Sequence, residues 1–432
     1  MEKILSLAKQ AAEAAEVFTV ASEETSVQFD ANRLKHVEGK QSTTTYLRVI
    51  KNGRIGFAIT SGDVKEEELV AMAVETAEFG MEAKFEFPGV IKYPVVKTYD
   101  SSINAVTSAQ MVKLGEELIA PLRENTPEIV CQAGVGRDII IVKIKNSSGA
   151  SAEYSKSIFS FGAEGTLVNG TDMLFVGESD ASCHPILDTK IVTGLILRQL
   201  EYSKTQAKVQ TGQMPVIFTP NGVAGAFMAS LMSAFNGKTV LEGASPLGKK
   251  LGEVVFDTKL SMWDDTTIAF QPGSRPFDDE GVPSQRIPLI EKGKVTNFLY
   301  DLQTAGLAGK KSTGSAGRGR GLPSPSPGAL VISSGEMSFD DMVKDIKEGL
   351  IVEQLMGAEQ GNILGGDFSG NVLLGYKIEN GTIAGRVKDT MVSGNIYRLL
   401  KEIVALGSET RWVGGFLQTP HIYCSNLSVA SK

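Results

Sequence analysis

The chain has 432 residues, 42% hydrophobic and 22% charged, with 43 basic against 50 acidic residues and a net charge of -7. That length exceeds the roughly 100–200 residues of one ordinary domain, so two domains with separate cores are expected. The negative balance disfavours a phosphate-backbone partner, and Cys131, Cys183 and Cys424 lie too far apart for a zinc or redox motif. No stretch approaches the roughly 18 apolar residues of a membrane span, so a reducing, cytoplasmic setting without nucleic acid or membrane is expected.

Ile4, Leu5, Ala8, Ala11, Ala12 and Ala15 recur at the spacing of one helix face, which predicts a first helix ending near Glu16. Charge interrupts this segment before it reaches the length of a signal-peptide core. Two β-rich stretches follow, the second alternating around Tyr46-Leu47-Arg48-Val49-Ile50 and turning at Asn52-Gly53, a strong hairpin signal. Helical periodicity returns over 64–79. The order then repeats weakly: a helix over 108–122, strands over 129–135 and 139–145, a further strand-like stretch to Val176, and a helix over 191–202. From Pro215 the texture changes to short strands between Gly-rich turns, beginning with Val216-Ile217-Phe218-Thr219 running into a helix capped by Asn221. An α+β fold is expected, with an N-terminal α+β domain over 1–211 and a β-rich C-terminal domain over 212–432.

Hydrolytic chemistry needs a base, a nucleophile or a metal, and only His36, His184 and His421 supply imidazole. His184 precedes a proline and reads as a loop residue, and His36 reads as solvent-facing. On a strand, Cys424 and Ile422 share one face while His421 points to the other, so Cys424 reads as a buried apolar thiol rather than half of a Cys-His pair. No histidine lies between His184 and His421, which excludes a His-Glu-x-x-His helix. Gly309-Lys310-Lys311 lacks the phosphate-loop spacing, and no Gly-x-Ser-x-Gly elbow surrounds Ser369. The stretch 314–328 combines Gly, Arg, Ser and Pro with almost no apolar side chains, and its composition predicts a mobile or partner-held loop. Asp264-Asp265 and Asp278-Asp279-Glu280 read as solvated turns, since neighbouring carboxylates on a strand diverge.

Several segments read together identify a resemblance. Pro276-Phe277-Asp278-Asp279-Glu280-Gly281 and Gln285-Arg286 resemble the Pro-Phe-Asp-x-Glu-Gly signature of the TldD/PmbA family. Family-like segments follow in order at Lys311-Ser312-Thr313-Gly314, Leu355-Met356-Gly357, Gly366-Asp367-Phe368-Ser369, Ile378-Glu379-Asn380-Gly381 and Val392-Ser393-Gly394-Asn395, with Asn146-Ser147-Ser148-Gly149 upstream. The TldD branch carries His-Glu-x-x-x-His on a helix and a cysteine beside glycine near the C-terminus. The corresponding helix here, 221–235, is apolar, and Trp412-Val413-Gly414-Gly415 has no cysteine.

The resemblance therefore implies the PmbA (TldE) branch: a subunit with no catalytic residues, metal or cofactor of its own. It would work with a TldD-type zinc-bearing subunit on peptides or unfolded segments, and could form a homodimer when alone. Substrate or partner contacts are expected at Asp278, Asp279, Glu280, Gly281, Thr313, Gly314, Arg318 and Asp367. Two alternatives stand beside it: an independent peptide-binding or gyrase-modulating protein, and a hydrolase with a site among Asp278, Asp279, Glu280 and Arg318.

Overall fold

The computed structural model describes residues 1–62 and 65–431. Helix α1 (Glu2–Ala11) leads into a six-stranded antiparallel sheet of β1 (Ala14–Asp30), β2 (Arg33–Lys51), β3 (Arg54–Ser61), β4 (Val130–Asn146), β5 (Ser151–Asn169) and β6 (Asp172–Ser182), in the order β3-β2-β1-β4-β5-β6. Four of these strands have 17 to 19 residues, several times the usual length. Three helices, α2 (Glu66–Ala77), α3 (Ser108–Asn125) and α4 (Lys190–Tyr202), accompany the sheet. Asn52 and Gly53 both have positive φ, the two-residue turn that their sequence signalled between β2 and β3.

Alternation along β1 assigns its two faces. Val17 belongs to one apolar cluster with residues of α1 and α2, and Val27 and Phe29 belong to another with residues of α3 and α4. The even-numbered residues point the other way, with Phe18 meeting Phe277 of the C-terminal half.

The first helix stops five residues short of its expected end. Ala12 is already extended, and Ala15, Glu16 and Val17 pair with β2 as strand residues. Alanine fits either conformation, so the apolar recurrence ran on into a strand. The two strands read over 129–145 form one, because β4 is paired on both sides through Gly136 and Arg137. The expected start of the second helix at Val64 lies outside the described residues.

Beyond residue 205 the strands form a second, mixed sheet, apart from the short pair Ala316–Gly317 and Ser324–Pro325, which stands by itself. Strand Leu417–Ser431 pairs with Gly212–Phe218, which pairs in parallel with Glu348–Met356, followed by Asp367–Glu379. Thr390–Asn395 bonds to both Asp367–Glu379 and Leu417–Ser431, closing these five strands into a ring of pairings. Helix α5 (Pro220–Phe235) is capped by the Thr219 side chain, two positions earlier than the expected Asn221. Its apolar surface packs on the ring, with the Phe227 ring 4.8 Å from that of Phe218.

Candidate functional site

The signature turn 276–281 is built inward, not toward solvent. Asp278 Oδ1 accepts the amides of Glu280 and Val282, both at 2.9 Å, and Oδ2 accepts the amide of Ala316 at 2.9 Å. Gly281 has φ +74, and a Cβ there would press on Ile144 of β4. Asp278 and Glu280 are fully enclosed, so the sequence reading of solvated carboxylates does not hold.

Glu280 Oε1 meets Arg48 Nη1 of β2 at 2.5 Å, while Oε2 accepts the Leu302 amide at 2.6 Å. Arg48 Nη2 reaches Glu16 of β1 at 3.1 Å, and Glu16 also pairs with Arg318. Arg318 in turn donates from its amide to Asp279 Oδ2 at 2.7 Å and from Nε to the Asp279 carbonyl at 2.9 Å. The guanidiniums lie over aromatic rings, Arg48 on Phe85 at 4.7 Å and Arg318 on Phe18 at 4.9 Å. Phe277 completes the contact, its ring 4.9 Å from Tyr93 and 5.1 Å from Tyr154. Burial pushes the Glu280 carboxyl up to about 7 against the pull of Arg48, and pushes Asp278 up to about 6. These groups form a clasp between the first sheet and the C-terminal half.

The first part of the stretch 314–328, through Arg318, is held in this clasp, while Gly319, Arg320 and Ser324 are exposed. Ala316–Gly317 pairs with Ser324–Pro325, and Gly314, Ser315 and Ala316 are buried. Composition suggested mobility because the apolar side chains that cover this backbone lie elsewhere in the chain. Thr313 closes a turn on Tyr300, donating through its hydroxyl to the Tyr300 carbonyl at 3.1 Å. Asp367 is apart from this set: it begins the strand Asp367–Glu379, and its carboxylate accepts from Asn395 at 2.8 Å.

Sequence reasoning missed Glu16 and Arg48. Their signal was present, each being one charge inside an apolar strand run, but nothing in the sequence paired positions 16 and 48 with 280 and 318.

A cleft of about 860 Å³ opens on the same face of the first sheet, at the other end of β1. Its floor runs over β1, β4, β5 and β6, and its far wall includes Asn221 of α5, Gln354, Leu373 and Gly414. At that wall Glu178 of β6 accepts from Asn221 at 2.9 Å, from Gln199 at 3.2 Å and from Arg411 at 3.0 Å. Burial, then the charge of Glu178, pushes the Glu353 carboxyl up to about 7. Burial and the nearby Arg411 drive His421 down to about 4, its ring 4.6 Å from that of Phe339. Cys424 is fully buried and its thiol is pushed up to about 12 by burial.

Residues 211–431 match the model of the PmbA/TldA metallopeptidase C-terminal domain, and residues 15–79 that of domain 1 of the same family. The chain belongs to the PmbA/TldD family. An uncharacterized protein of Methanocaldococcus jannaschii is 28% identical over 94% of each chain. The metalloprotease PmbA of Escherichia coli O157:H7 is 32% identical over 47% of this chain and 42% of its own length. In fold, the chain matches TldE of Thermococcus kodakarensis with a TM-score of 0.91 at 24% identity, covering all of both chains. It also matches a Thermotoga maritima protein proposed as a modulator of a DNA gyrase, with a TM-score of 0.88 at 22% identity and 99% coverage of both.

The family description names a metallopeptidase, so the fit of a divalent ion at α5 can be tested on its donors. Helix α5 carries no imidazole, thiolate or carboxylate, and ten of its side chains or glycines are buried in the core. Among the described residues no group of three His, Cys, Asp or Glu converges to hold an ion. These residues do not fit a catalytic metal, and no chemical step is derived through one.

Proposed function

We propose that this chain is the polypeptide-holding, metal-free subunit of a two-component metallopeptidase of the PmbA/TldD family. One observation carries the reading: α5, the helix expected to bear metal ligands in the TldD branch, is apolar here, yet its first turn still borders a cleft wide enough for a polypeptide. Hydrolysis of an amide needs an activated nucleophile and donors for the developing oxyanion. The carboxylates of the signature turn are committed to backbone amides and guanidiniums inside the clasp, which argues against a hydrolytic site there. What the chain offers is a cleft to receive a substrate strand, and a TldD-type partner would supply the metal.

A division near Gly212 belongs to the same reading. It is supported by the first sheet lying within 14–182 and all of the second but Gln206–Ala207 lying within 212–431. No helix of the described residues is long and apolar enough to cross a membrane, consistent with the cytoplasmic setting we infer from the cysteines.

The test is cleavage of flexible peptides by this chain alone, a TldD-type partner alone, and the mixture. Activity is expected only where the partner is present, with a gain on mixing. Chelator-insensitive cleavage by this chain alone, retained through further purification, would refute the proposal.

A further inference from the structure

Strand register sets out the cleft floor in rows. Gln28 faces Gly134, Gly134 faces Gly162, and Gly162 faces Ser179; in the next row Ser26 faces Gly136, Gly136 faces Ser160, and Ser160 faces Ala181. Two adjacent rows, of small residues apart from Gln28 at one end, thus cross four strands as a trough. At about 4.8 Å per strand they span about 15 Å, the length of four to five extended residues. A second cavity of about 300 Å³ continues it past Ser26 and Gln28 to His36 of β2.

Carboxylates flank the trough on both sides. Glu24 and Asp138 face each other on one flank, and Glu164 stands on the other. Asp180 lies at the β6 end. None of these four makes an ion pair among the described residues, and no lysine or arginine lines the larger cavity. The fifth lining carboxylate, Glu178, is the one neutralised, by Arg411. Burial and the charge of Glu24 push Asp138 up to about 6, as expected for carboxylates crowded without a counter-charge.

We infer that the trough binds an extended polypeptide segment bearing lysine or arginine side chains, lying across the strands, with its cations between the Glu24–Asp138 pair and Glu164. The inference rests on the reading of the cleft as the polypeptide site and adds the charge class of what it holds. Small floor residues let a backbone approach the sheet closely, and the flanking carboxylates reach only side chains long enough to clear the floor. A cation there would replace solvent around four unpaired negative charges in a partly enclosed site, where attraction is screened less than on an open surface. An acidic segment would meet repulsion from both flanks.

The experiment is fluorescence anisotropy with the full chain and three labelled, unstructured octapeptides that differ only in charge: Lys/Arg-containing, neutral Ser/Gln, and Asp/Glu-containing. The basic peptide is expected to bind at least about tenfold tighter than the neutral one at low salt, with the advantage shrinking as salt rises. Glu164→Gln and Asp138→Asn should each weaken the basic peptide about fivefold and leave the neutral one unmoved. Ser179→Trp and Gln28→Trp, at exposed positions at opposite ends of the trough, should each block both. If all three peptides bind alike and the tryptophans still block them, the charge class is overturned while the polypeptide site stands. Binding that ignores both tryptophan variants overturns the assignment to this trough. A folded chain that binds none of the peptides sinks the inference together with the functional reading beneath it.

Discussion

Arg48 and Glu280, 232 positions apart in the chain, meet at 2.5 Å with both side chains essentially removed from solvent. Each is held by a second partner, Arg48 by Glu16 and Glu280 by the Leu302 amide. The family signature at 276–281 thus marks the place where the two halves of the chain are joined.

Removing one member of that clasp should be costly in a specific way. Arg48→Ala leaves Glu16 facing only Arg318 and strips Glu280 of its counter-charge in a buried site, with an expected loss of about 3–5 kcal/mol. Glu280→Gln keeps an acceptor for the Leu302 amide and is expected to lose less. Urea midpoints of the two variants check the order. Equal stability of Arg48→Ala and the parent would show that the clasp is not an energetic unit.

Backbone geometry yields a second expectation. Gly314 has φ +71, and a Cβ there would lie 2.6 Å from the Pro283 carbonyl oxygen. Gly314→Ala combines left-handed strain with a clash against backbone and should cost about 2 kcal/mol or more. Gly309→Ala is the control, also left-handed at φ +62 but with nothing within 4 Å of its Cβ. Thermal melts of the pair should show the larger loss at Gly314, and the same loss at both would mean the clash contributes nothing.

Much of the architecture was legible where periodicity was long or a turn signal was local. The helix expected over 108–122 shows this, spanning Ser108–Asn125, and so does the hairpin at Asn52-Gly53. The resemblance carried the family because its motifs are short turns whose geometry demands particular residues, such as Asp278 accepting three amides. What could not be read was burial decided by distant partners. Asp278 and Glu280 looked solvated because Arg48 and the covering aromatics are remote in sequence, and 314–328 looked mobile for the same reason. The cleft was invisible too: Gly134, Gly136 and Gly162 become a trough only when register aligns them across β4 and β5.

Acid should weaken the fold through His421. Its folded pKa is about 4 against an ordinary 6.5, lowered by burial and then by Arg411 and Arg198. Below pH 6.5 the unfolded chain takes a proton that the folded chain refuses, so stability falls as pH drops from 6.5 to 4 and this contribution then levels off. The full span is worth about 3 kcal/mol. His421→Phe, which retains a ring against Phe339, should flatten that part of the pH profile of the denaturation free energy. An unchanged slope between pH 6.5 and 4 in the variant would show that other groups carry the acid sensitivity.

Chelation separates the two subunits of the proposed complex. A structural zinc site contributes on the order of 10 kcal/mol or more to folding, and any ion bound only by the native state raises Tm by mass action. The donors needed are absent from α5, where Asn221, Ser230 and Ser233 are the polar side chains and the rest of the surface packs on Phe218, Phe368 and their neighbours. Treatment of this chain with chelator followed by dialysis is therefore expected to leave its Tm unchanged, with metal analysis finding far less than one zinc per chain. The same treatment of a mixture with a TldD-type partner should abolish peptide cleavage, and readdition of treated chain to untreated partner should restore it. About one zinc per chain surviving dialysis, or a chelator-induced drop in the Tm of this chain alone, would place a metal site in it and overturn the division of labour proposed here.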